Sequence, residues 1–201
     1  GPGDVQWMTA GAGLVHEEYH SPEFAKTGGS LEMIQLWVNL PAHAKLSAPA
    51  YQSIACTEIP TVPLPDDAGQ ARLIAGQLSG QNGPARTFTP MNVWDLHLNA
   101  GRSVTIELTE GHTAAVFILR GAVQFSDQQI LREAELAVLE PNGRLLTMDV
   151  VKDTKALLLA GAPLNEPIVG HGPFVMNTHA EIREAIEDFR NGRFGRIHTD
   201  A

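Results

Sequence analysis

GPGDVQWMTAGAGLVHEEYH (residues 1–20) holds the densest group of ligand-type side chains in the sequence, and its geometry decides how the fold is read. Residues 4–9 read as a short strand after a Gly/Pro turn, and residues 10–13 as a second, glycine-rich turn. His16, Glu17, Glu18, Tyr19 and His20 then admit two geometries. On a helix, His16, Glu17 and His20 reproduce a His-Glu-x-x-His pattern, with two imidazoles one turn apart and Glu17 as general base of a zinc protease. Gly11 and Gly13 in front and Pro22 behind leave at most about two turns, and helices that short are marginal. On a strand, alternate side chains share a face. His16 and Glu18, with His20 next in line, then project together while Glu17 and Tyr19 face away. That is half of a four-ligand metal site. The bland alternative is a solvated polar cluster.

Working outward, residues 21–30 form a loop with Pro22, Gly28 and Gly29. LEMIQLWVNL (31–40) is too evenly apolar to alternate, which predicts a strand buried on both faces. Pro41, Pro49, Pro60, Pro63 and Pro65 then defeat long helices, so residues 41–70 read as a linker with short extended pieces. From residue 93 the pattern becomes regular. Strands are predicted at 93–98, 104–108, 114–119, 122–125, 137–139, 145–150 and 156–160. Between them lie turn signals at Gly101, Gly111, Arg120-Gly121 and Asn142-Gly143. Short strands at this spacing indicate a sandwich or barrel. One helix follows, opened by the capping box of Thr178 and Glu181. Ile182, Ala185, Ile186 and Phe189 form its apolar face, and Asn191-Gly192 stops it.

Composition bounds the function. The 201 residues suit one large domain or two small ones. A net charge of −9 argues against a protein that tracks nucleic-acid phosphates. With 18% charged residues, 19 glycines and 13 prolines, against about 25% charged in ordinary domains, a turn-rich β protein is favoured. Cys56 is the single cysteine, so no intramolecular disulfide forms, and no basic neighbour marks it as a nucleophile. No apolar run approaches the ~20 residues of a membrane helix. No signal peptide is visible, so a cytoplasmic location is expected. His43 and His97 read as structural, and His171 as part of a turn. Trp7 and Met8 read as core packing before pocket lining. No Ser-His-Asp grouping, P-loop or dinucleotide fingerprint occurs.

Gly3, Thr9, Ala10, Gly11 and His16 resemble the second sequence motif of cupin β-barrels, with Thr9 in place of the usual Pro and a longer gap to the His. More specifically, GPGDVQWMTAG (1–11) with His16 and Glu18, QLWVNLP (35–41), LNEPIV (164–169) and GPFVMNT (172–178) together resemble the pirin family. The matches are in order and span essentially the whole chain. The resemblance implies an all-β bicupin, two β-barrels in tandem with the first incomplete in this chain, plus one C-terminal helix. Residues 1–50 would be the remainder of the N-terminal metal-binding barrel. Residues 51–201 would be the linker, the C-terminal barrel and the helix.

In the family, three His and one Glu hold a divalent metal, iron foremost, in the first barrel. His16 and Glu18 match the last two of these ligands. The first two belong to a His-x-His pair, and no His-x-His occurs in these residues. The chain therefore looks like the C-terminal two-thirds of a pirin and is expected to hold metal weakly. His112 stands alone beside Gly111, so the second barrel is expected to be metal-free. The implied activity is of the quercetin 2,3-dioxygenase type, the O₂-dependent opening of a flavonol ring. Its substrate would be a small flavonol-like aromatic, and Glu18 would serve as both ligand and proton acceptor. The alternative is a metal- or redox-responsive regulator, a transcription co-regulator or a modulator of metabolic enzymes. Its acidic surface would meet a protein partner rather than nucleic acid or membrane.

Overall fold

The computed structural model describes residues 1–197. The chain divides into two compact units, Gly1–Trp7 with Tyr51–Leu164, and Met8–Ala50 with Asn165–Ala201. The expected all-β, cupin-like architecture with a C-terminal helix is what forms.

In chain order the strands begin with β1 (Val5–Thr9), β2 (Ala50–Ile54), β3 (Thr61–Leu64) and β4 (Gly69–Ala75). A small hairpin follows, β5 (Gln77–Leu78) and β6 (Gln81–Asn82). Then come β7 (Met91–Leu98), β8 (Ser103–Glu107), β9 (Thr113–Phe125), β10 (Ile130–Arg132), β11 (Leu136–Leu139) and β12 (Leu145–Gly161). The main sheet runs β10-β9-β12-β7-β4-β3, with β11 added to β9 and β8 to β12. Every pairing within it is antiparallel.

Alternation along β7 shows how the core is made. Trp94, Leu96 and Leu98 join Leu73, Val116, Ile118 and Leu158 in one cluster. On the opposite face, Val93 joins Ile54, Ile59, Ile74 and Ala85, with Trp7 packed against them. Both faces of β7 are thus covered. Trp7 serves packing, as expected, and its indole N–H donates to the Arg86 carbonyl at 2.9 Å.

Three expectations change. The proline-rich region supplies more than a linker, because β3 and β4 are members of the main sheet. Pro63 is tolerated because β3 lies at the sheet edge, where a missing N–H leaves no gap in a central ladder. Next, the predicted strands at 114–119 and 122–125 are one strand, and so are those at 145–150 and 156–160. Arg120-Gly121 is a bend within β9 rather than a turn. Opposite it, the register with β12 shifts between Val150 and Ala156. Gly121 has φ +90°, and a Cβ there would lie 2.3 Å from the Asp153 carbonyl oxygen. Only glycine lets the two strands approach so closely. The buried Thr154 hydroxyl closes the irregularity. It accepts from Ala122 N–H at 3.0 Å and donates to the Lys152 carbonyl at 2.7 Å.

The third change is the apolar run at 31–40, which forms no strand and is not buried. Leu31, Met33 and Trp37 are 60, 66 and 68% exposed. A strand needs a neighbour's ladder for its backbone groups, and no described strand pairs with this segment.

The second unit contains α1 (Pro22–Thr27), a short hairpin of β13 (Val169–His171) and β14 (Phe174–Met176), and α2 (His179–Arg190). Helix α1 forms where the sequence predicts a loop, and its signals lie in the sequence. Ser21 caps it by accepting from Phe24 N–H, Pro22 occupies the first turn, and Gly28 follows its end. For α2 the capping expectation holds with one variation. Thr178 Oγ1 accepts from Glu181 N–H at 3.2 Å, while the Glu181 carboxylate reaches past it to Asn177 N–H at 3.1 Å.

Gly121→Ala is expected to destabilise the first unit by about 1–3 kcal/mol from backbone strain alone, with the steric clash adding to it. Urea denaturation followed by near-ultraviolet circular dichroism measures this. Full stability in the variant would show that the bend tolerates a Cβ.

Candidate functional site

His16 and Glu18 lie on a segment with neither helix nor strand over residues 12–20. The helical His-Glu-x-x-His geometry is therefore not adopted. The glycines that precede it explain why. Gly11 passes so close to Ser47 that a Cβ would lie 2.1 Å from its carbonyl oxygen. Ala12 N–H donates to that same oxygen at 2.8 Å. Gly13, with φ +115°, lies against Phe194, where a Cβ would meet the ring at 2.3 Å. Phe194 packs edge-on to Phe174 and against Phe189, both with centroids at 6.0 Å. The backbone leading to His16 is thus held by the end of the same unit, in a course that is neither helix nor strand.

Side chains along this course pair alternately. His16 Nδ1 lies 3.9 Å from Glu18 Oε1, whereas the Tyr19 hydroxyl donates to Glu17. His16 and Glu18 are each about half exposed. His20 leaves this pair and packs its ring on Phe24 of α1, with centroids 5.1 Å apart. In donor type, a neutral imidazole nitrogen and a carboxylate oxygen suit a divalent transition ion. Ligand bonds of about 2.1 Å each span at most about 4.2 Å, so the 3.9 Å separation is within reach of one ion. Among the described residues, no third His, Cys, Asp or Glu completes a group with them.

Two charged clusters were not legible in the sequence. In the first unit, Arg72 Nη1 donates to the buried Asp95 at 2.6 Å, and Arg72 Nη2 to the Gly3 carbonyl at 2.7 Å. His97, read as structural, places Nε2 3.2 Å from the other Asp95 oxygen. The spacing of Asp95 and His97 on β7 was a usable signal, but Arg72 arrives through cross-strand register that no local pattern reveals. In the second unit, Lys45 is buried, and its ammonium donates to Asn39 and to the Val175 carbonyl. Burial pushes the Lys45 pKa down from 10.5, opposed by the fields of Glu166 and Glu181.

Lys45 has a definite consequence for pH. Its folded pKa is depressed, so the unfolded state binds more protons between that depressed value and 10.5. Stability from this group therefore rises with pH across that window. The urea midpoint of the wild-type chain, minus that of Lys45→Met, is expected to increase from neutral pH toward 10.5. A flat or falling difference would contradict the assignment.

Comparison with known proteins places the chain in a family. The pirin profile matches residues 1–38, and the pirin C-terminal cupin domain matches residues 93–195. A Pseudomonas aeruginosa protein provisionally named quercetin 2,3-dioxygenase is 52% identical over 198 residues, covering 98% of this chain and 69% of that protein. Human pirin is 38% identical over 200 residues, covering 96% of this chain and 66% of pirin. The crystal structure of quercetin 2,3-dioxygenase from Acinetobacter baumannii superimposes with a TM-score of 0.93 at 52% identity, over 98% of this chain and 68% of that one. The chain thus spans about two-thirds of the length of these relatives. It belongs to the pirin family of cupin proteins.

Proposed function

We propose that the protein acts in a quercetin 2,3-dioxygenase-type reaction, in which a flavonol ring opens and both atoms of O₂ enter the product. The single observation that supports this most is the 52% identity and 0.93 TM-score to the Acinetobacter baumannii quercetin 2,3-dioxygenase. The flavonol itself supplies the electrons that reduce O₂, so no external reductant is required.

In this reading His16 and Glu18 are two of four ligands to a divalent metal, iron foremost, and residues 1–50 contribute to the metal-bearing barrel. His16 offers a neutral imidazole nitrogen. Glu18 offers a carboxylate that also takes the proton of the flavonol hydroxyl, provided the two are held within hydrogen-bond reach. The bound cation would supply Lewis-acid stabilisation of the negative charge on the substrate oxygen. Gly11 and Gly13, packed against Ser47 and Phe194, would fix the backbone that leads to these two residues. The other two ligands would come from the part of the relatives' length that this chain does not span.

The test is a chimera joining this chain to the unmatched remainder of the Acinetobacter baumannii protein, loaded with iron and given quercetin under air. Loss of flavonol absorbance is expected. Glu18→Gln is expected to lower kcat/KM by about 100-fold or more. Glu17→Gln, bonded to Tyr19 instead, should stay within about twofold, as surface substitutions generally do. Intact quercetin with a fully metallated chimera would sink the enzymatic reading in favour of a regulatory one.

A further inference from the structure

A cavity of about 890 Å³ lies in the first unit between the β5–β6 hairpin, the start of β7 and the turn joining β8 to β9. None of the residues assigned above to metal or flavonol chemistry lines it. Trp94 and His112 do. Trp94 is 1% exposed, and its inward-facing side chain carries an Nε1–H shielded from solvent and without a hydrogen-bond partner in the chain. His112 Nδ1 is likewise shielded and unpartnered. Two lining residues that each carry an orphan ring nitrogen are unusual, because buried polar groups in folded proteins are nearly always paired. The indole N–H can only donate, so its missing partner is an acceptor.

The rest of the lining narrows the chemistry. Arg144 is neutralised by Glu107, which accepts its guanidinium at 2.8 Å. Glu110 then leaves the lining with negative charge in excess, which opposes a carboxylate or phosphate ligand. The Asn92 amide adds neutral hydrogen-bonding capacity, and Met91 and Leu108 add apolar wall. We propose that the mouth of this C-terminal barrel is a second small-molecule site, for a neutral, hydroxyl-bearing ring compound. An oxygen of the ligand would accept from Trp94 Nε1, and a hydroxyl would pair with His112 Nδ1. His112, which stands alone in sequence beside Gly111, is then a binding residue. The site is independent of the metal reading, since it uses no residue before Gly76.

Such a ring could be a sugar or a phenol, and the probes separate the two sources. The 201-residue chain labelled with ¹⁵N is titrated with methyl glucoside and, separately, with catechol under reducing conditions. The Trp94 indole signal is identified by its loss in Trp94→Phe. One or both probes are expected to move it saturably while the Trp37 indole signal stays fixed. Calorimetry should then show about tenfold weaker binding in His112→Leu, for one lost hydrogen bond. Thr87→Trp, at an exposed lining position outside the core, should block binding while the chain remains folded. A Trp94 signal unmoved by both probes overturns the site. So does a shift that Thr87→Trp leaves unchanged.

Discussion

The main sheet depends on one strand being able to bend. β12 is 17 residues long and pairs with β7, β8 and β9. No straight strand could serve three neighbours and still enclose a core. The bend is possible because Gly121 carries no side chain where β9 crosses Asp153 and Thr154. The Thr154 hydroxyl then occupies backbone groups that the broken ladder would leave unpaired. With that irregularity satisfied, the two halves of β12 can face different partners. Leu146, Met148 and Val150 on one half and Ala156, Leu158 and Ala160 on the other reach the same core.

The spacing of turn residues after position 93 announced a sandwich or barrel, and the capping residues announced α2, because both signals are local. What stayed hidden was set by distant pairing. Arg120-Gly121 looks identical in sequence whether it turns a chain or bends a strand, and only the register against β12 decides. Residues 31–40 have the composition of a buried strand, yet composition does not supply a neighbour to bond with. The reverse held for the proline-rich stretch. Its prolines discouraged a strand reading, and an edge position made one acceptable at β3.

The candidate site was legible in identity before it was legible in shape. His16 and Glu18 emerged from an alternation argument that assumed a regular strand. The segment is not one, yet the pairwise grouping of His16 with Glu18 and of Glu17 with Tyr19 survives without the ladder. His20 fitted the same alternation and departs from it because Phe24 offers a ring surface to pack on. That contact depends on α1, whose capping residues were in plain view.

The second unit is discontinuous, with residues 8–50 completed by the segment from Asn165 onward. This orders events during synthesis, when domains fold as their residues emerge. All strands of the eight-stranded sheet are available once Gly161 has left the ribosome. The residues ahead of His16 must wait for Phe194, more than 170 positions later. Contacts of such separation form late because a long loop must first be closed. The segment that carries His16 and Glu18 therefore remains unset until Phe194 has been made.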